Sequence, residues 1–145
     1  MPFTARSILI AAALVAPSDS YAADNKTGVM YKTPGCECGE DYASYLRERG
    51  YTFKVFPVID LEAVKKRNGV PQTLPSCHLF VTGRYVVDGH VPVKHIDRML
   101  KDKPDIRGLS LPGKPPGSPG IAGYKREPFT IYEIGDGSPK VFAVD

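Results

Sequence analysis

Hydrophobic positions along this chain fall into short runs whose period changes between two and about four, with glycine and proline at the breaks. Gly28-Val29-Met30-Tyr31-Lys32 reads as a strand, ended by the turn cluster Thr33-Pro34-Gly35. From Glu40 to Arg49 the period becomes helical. Tyr42, Tyr45 and Leu46 share a face at i, i+3, i+4, and Gly50 follows where a helix end favours a left-handed residue. Thr52-Phe53-Lys54-Val55-Phe56 alternates as a second strand. Asp60 is placed to cap a second helix, with Lys65, Lys66 and Arg67 in its last turn and Gly69 after it. That basic triplet reads as a solvated end favouring the helix dipole.

Val70 to Pro75 forms a stiff connector. Cys77 to Val81 and Tyr85 to Asp88 then read as a hairpin turning at Thr82-Gly83-Arg84. Pro92 opens a third helix with an inner face of Ile96, Met99 and Leu100, closed by Pro104. The order β-α-β-α-β-β-α is similar to the thioredoxin and glutaredoxin architecture and predicts an α/β domain over 28–104. A Pro/Gly-rich strap, Leu109 to Gly120, leads to strand signals at Phe129–Ile134 and Val141–Val144, a C-terminal β-hairpin. The segment 105–145 is expected to pack on the same domain, because an isolated hairpin is marginal.

The chain has 145 residues, enough for one small domain. Residues 1–23 read as a secretory signal peptide. Arg6 supplies the positive start, Ile8–Val15 the apolar core, and Ser20-Tyr21-Ala22 or Tyr21-Ala22-Ala23 the cleavage site. The apolar run is about half the ~18–20 residues a membrane span needs. A periplasmic or otherwise exported protein with no membrane attachment after cleavage is expected. The leader carries one cation (Arg6) and one anion (Asp19), so its removal keeps the net charge at +3. That charge is scattered and argues against nucleic acid. Asn25-Lys26-Thr27 matches a glycosylation sequon, a pattern short enough to arise by chance.

Chemistry enters with the three cysteines, Cys36, Cys38 and Cys77. An odd count in an oxidising compartment leaves one thiol outside any internal disulfide. The fold expected here brings the loop of Cys36 and Cys38 beside Pro75, Cys77 and His78. A helix N-terminus favours thiolate, which is both nucleophile and metal ligand, so two readings stay open. One is a thiol–disulfide oxidoreductase using Cys36 and Cys77. The other is a soft metal site suited to Cu(I), in which Cys77 completes the Cys-x-Cys pair and the three sulfurs converge to within about 4–5 Å. Beyond these two thiolate readings, a scaffold whose site has decayed, with the strap as a partner surface, is the third possibility.

Strand alternation turns His78 away from Cys77, which leaves His90 as the expected nearest imidazole. His95 reads as a surface residue, and Met30 and Met99 as core. Gly39 is expected to turn the chain tightly into the helix and leave backbone N–H groups open toward the sulfurs.

The runs YKTPGCECGEDYASYLRERGY, LPSCHLFVTGRYVVDGHVP and GLSLPGKPPGSPG resemble the CopG-type periplasmic copper-resistance family, which is thioredoxin-like. The resemblance implies metal-site roles for Cys36, Cys38 and Cys77, and extends them to His78 and His90. It implies Cu(I) as the bound metal and a copper transporter or chaperone as partner; zinc is a second metal that such a cysteine and histidine site would take. The family pattern has a further cysteine where this chain has Gly39, methionines where it has Lys114 and Ile121, and Glu where it has Asp88. Fold analogy also predicts a cis bond at Pro75.

Overall fold

The computed structural model describes residues 26–145. The leader expected over 1–23 and Asn25 of the sequon lie outside them. Seven strands and three helices follow in the order β1 (Thr27–Lys32), α1 (Glu37–Arg47), β2 (Thr52–Pro57), α2 (Leu61–Arg67), β3 (His78–Thr82), β4 (Tyr85–Gly89), α3 (Val93–Asp102), β5 (Gly108–Leu111), β6 (Thr130–Ile134) and β7 (Lys140–Val144). One sheet holds all seven strands, ordered β2-β1-β3-β4-β5-β6-β7. The pairs joined through helices, β1/β2 and β4/β5, are parallel, and the others are antiparallel. This mixed α/β arrangement is thioredoxin-like.

Both faces of the sheet centre are covered, so β3 and β4 are apolar on both sides. Phe80 and Val87 face Tyr42, Leu46, Ile96 and Met99 from α1 and α3. Leu79 and Val86 face Leu61 and Val64 from α2, together with Ile134. Period-two alternation within β3 and β4 thus distributes side chains between two clusters rather than between core and water.

Two boundaries differ from the sequence reading. Helix α1 begins at Glu37 rather than Glu40, with Cys36 in the N-cap position. Its first turn carries Cys38 and Gly39, whose lack of apolar periodicity hid them, while Glu37 and Glu40 suit the dipole. The first strap residues, Leu109 to Leu111, belong to strand β5, fully buried against β4 and β6. Four residues are too few to show alternation against a Pro/Gly-rich background. The hairpin β6–β7 therefore continues the sheet through β5.

Asp60 caps α2 as expected, its Oδ1 accepting from the Ala63 amide at 2.8 Å. Lys65 contradicts its reading. It is 1% exposed, because Leu61, Val64 and Lys65 lie on one helical face, i, i+3, i+4, that packs on the sheet. No cis peptide occurs among the described residues, so Pro75 is trans, the ordinary state of an X–Pro bond.

Candidate metal centre

Strand β1 ends at Lys32, opposite His78 at the start of β3, so the loop 33–36 and the connector to Cys77 leave the sheet side by side. The Thr33 amide donates to the Cys77 carbonyl at 3.0 Å and fastens the two segments. Cys36 and Cys77 are joined in a disulfide, and Cys38 is the free thiol. The Cys38 sulfur lies 3.7 Å from that of Cys36 and 3.3 Å from that of Cys77. All three sulfurs therefore converge, as the sequence predicted.

The imidazole at the cluster is that of His78, not His90. Ligand atoms of Cys36, Cys77 and His78 all lie within 4.8 Å of one another. Alternation failed here because Cys77 sits in a bend and β3 begins only at His78. The His78 Nε2 bonds to the Gly89 carbonyl at 3.1 Å, as donor, which leaves Nδ1 as the lone-pair nitrogen. That Nδ1 is buried with no hydrogen-bond partner. A Cβ built on Gly39 would stand 2.9 Å from Cys36 Sγ and 3.5 Å from Nδ1, so both atoms border the space that Gly39 leaves. The role expected for Gly39 is corrected accordingly. Its amide is engaged with the Cys36 carbonyl at 3.2 Å, and its missing side chain is what makes room.

Behind His78 stands an aromatic wall. Its ring packs 4.9 Å from that of Tyr42 and edge-on, 4.7 Å, against His90. Tyr42 donates to the Val91 carbonyl at 2.7 Å, and burial raises its pKa well above the ordinary value, so it stays a neutral phenol. His90 bonds through Nδ1 to the Pro119 carbonyl at 2.8 Å, which ties the strap to the site. Gly120 (φ 77°) lies against the α1 backbone, where a Cβ would come within 2.8 Å of the Tyr42 amide nitrogen. Burial and the neighbouring His90 push the His78 pKa down to about 3, and Lys114 and Lys65 add to the effect. Burial lowers His90 too, opposed by its bond to Pro119. Both imidazoles are neutral at physiological pH, the form in which histidine binds metal.

His95 is neither at the site nor on the surface. It is 7% exposed and meets the Asp145 carboxylate at 3.3 Å, beside a Lys94–Asp145 ion pair. Sequence reasoning missed a buried polar group beneath the site. Lys65 Nζ lies 3.2 Å from Asp88 Oδ1, and Asp88 also accepts from Ser76 Oγ at 2.5 Å and Ser110 Oγ at 2.9 Å. Helical spacing put Lys65 on an apolar face, a signal that was present in the chain.

Fold and site together define a thioredoxin-like protein with a sulfur and imidazole cluster at the N-terminus of its first helix. No helix among the described residues is long and apolar enough to cross a membrane. The family described as a protein of unknown function, DUF411, matches residues 74–121. Two solved structures, forms 1 and 2 of Copper resistance protein copG, are each 30% identical with a TM-score of 0.75. They cover 82% of this chain, and 96% and 97% of their own. No curated protein matches. The chain therefore belongs to the CopG-type copper-resistance family.

Proposed function

We propose that this protein binds Cu(I) by its Cys36, Cys38 and Cys77 thiolates with His78 Nδ1, and acts in copper resistance by sequestration or transfer. The observation that carries this reading is the orphaned His78 Nδ1 beside three converging sulfurs. A buried nitrogen without a partner is costly, and a metal would satisfy it. Thiolate with neutral imidazole is a soft donor set that suits Cu(I), and zinc is the other metal it would take. The copper resistance for which the two structural relatives are named supports the choice of copper. His90, with Nδ1 committed to Pro119, has only Nε2 left to offer and otherwise supports the His78 ring.

With the disulfide closed, Cys38 is the one thiol left. Loading three thiolates requires two electrons from an external dithiol, which becomes a disulfide as Cys36 and Cys77 are released. An exported, periplasmic setting accounts for a disulfide in the resting protein, and a copper transporter or chaperone would hand over or accept the ion.

Anaerobic Cu(I) titration of the reduced protein tests this, read by thiolate-to-copper absorption and by competition with a chelator. Saturable binding that disappears in the triple Cys→Ser variant is expected. Binding that survives loss of all three cysteines would sink the reading.

A thiol–disulfide oxidoreductase is the second reading, favoured by the Cys36–Cys77 bond itself. Cys38, 3.7 and 3.3 Å from the two bonded sulfurs, would stay the free thiol while Cys36 and Cys77 exchange with a substrate dithiol. Thiol counts on protein taken from its native compartment separate the two readings. One reactive thiol fits the oxidoreductase, and three thiols masked by metal fit the copper site.

A further inference from the structure

We propose that Lys65 and Asp88 form a buried positioning pair that fixes Cys77 and His78 for metal binding, an inference that rests on reading those two residues as ligands. Lys65 is 1% exposed and Asp88 0%. Lys65 Nζ donates to the Leu74 carbonyl at 2.6 Å and to Ser76 Oγ at 3.2 Å. Ser76 passes its proton toward Asp88 Oδ1, and Ser110 on β5 holds Oδ2. Leu74 and Ser76 bracket Pro75 and lead straight into Cys77, so the pair grips the connector just before the ligand. Pro71 and Pro75 lack amide hydrogens, which leaves that segment few bonds of its own. On the other strand, Asp88 is followed by Gly89, whose carbonyl accepts a hydrogen bond from His78 Nε2. One carboxylate thus sits at the junction of both supports.

Stability alone does not account for the pair. Buried ion pairs often contribute nothing relative to apolar residues of similar volume, because desolvation offsets the attraction. Groups that orient metal ligands, by contrast, typically change affinity 10–100-fold when removed. Lys65 reaches Leu74, Ser76 and Asp88 from a single atom, an arrangement suited to holding geometry.

The test compares wild type, Lys65→Met/Asp88→Leu, Ser76→Ala and Asp88→Glu, all reduced and anaerobic. Cu(I) affinity is measured by chelator competition, and the His78 tautomer by nitrogen-15 NMR of the metal-free protein. The double variant should melt within a few degrees of wild type yet bind Cu(I) ~10–100-fold more weakly. Its His78 should become a mixture of tautomers, where wild type holds the proton on Nε2. Asp88→Glu should restore most of the affinity. Ser76→Ala breaks the bridge without burying an unpaired charge, and should shift both readouts in the same direction even if the double variant does not fold. Absence of Cu(I) binding in wild type, with the tautomer contrast intact, would remove the copper reading and leave the positioning role standing. Wild-type affinity and a wild-type tautomer in the folded double variant, or in Ser76→Ala, would overturn the positioning pair.

Discussion

Acidification should destabilise the metal-free, disulfide-closed protein through His78. In the unfolded chain this imidazole titrates near 6.5, and in the fold at about 3. The stabilising contribution of a neutral His78 is complete above the unfolded pKa. It declines as pH falls from 6.5 toward 3 and is flat below that. Each pH unit in that window is worth about 1.4 kcal/mol, so moving from pH 7 to pH 5 removes about 2 kcal/mol. The full window is worth roughly 5 kcal/mol, comparable to the whole stability of a small domain. Urea denaturation of wild type and His78→Gln at both pH values isolates the effect. Glutamine does not titrate, whereas Asp88, His90, His95 and Asp145 are present in both proteins and largely cancel. The stability gap between the two should shift by about 2 kcal/mol against wild type at pH 5. A gap that is the same at both pH values would show that His78 titrates normally in the fold and would refute its buried, unpartnered state.

Other perturbations give further expectations. Gly39→Ala should improve α1 by up to ~1 kcal/mol in the reduced protein while crowding Cys36 in the oxidised one. Titration against a glutathione redox buffer should therefore show the thiol–disulfide equilibrium moved toward the open form. Gly120→Ala places a methyl against the Tyr42 backbone at a positive φ, and should destabilise by at least ~1–2 kcal/mol in chemical denaturation. It should also loosen the His90–Pro119 bond, read as faster exchange of the strap amides. Phe80→Ala removes a fully buried ring that meets Phe53 at 5.0 Å and Tyr51 at 5.8 Å, and should cost roughly 3–5 kcal/mol by the same assay.

Most of the element order was legible because strands and helices here carry their own punctuation: Asp60 at a cap, Gly50 and Gly69 after helix ends, Thr82-Gly83-Arg84 between paired strands. What stayed hidden depended on neighbours that the local pattern does not name. Leu109 to Leu111 is a strand only because β4 and β6 flank it. Lys65 looked like a solvated end because a cation in a last turn usually is one, and its partner Asp88 lies on another element. The convergence of three sulfurs followed from topology and held. The choice of imidazole did not, because the bend at Cys77 breaks the alternation and lets Cys77 share a site with His78. Donor chemistry suggested Cu(I) and resemblance reinforced it; spacing alone left metal and disulfide open.

The Pro119–His90 contact has a consequence for the order in which the chain acquires its function. Residues that build the cluster come from positions 36–38 and 77–78, His90 backs His78, and the strap reaches them through Pro119 on His90 and Gly113 on Pro75. Pairings of such long separation form late, since loop closure precedes the contacts that reward it. During synthesis Cys36 and Cys38 emerge well before the strap exists, at a stage when no preorganised cage surrounds them. Maturation therefore contains an interval in which these thiols are exposed to adventitious oxidants and metals. The strap, the last part of the site to arrive, then fixes His90 behind His78, while Cys38 stays partly exposed.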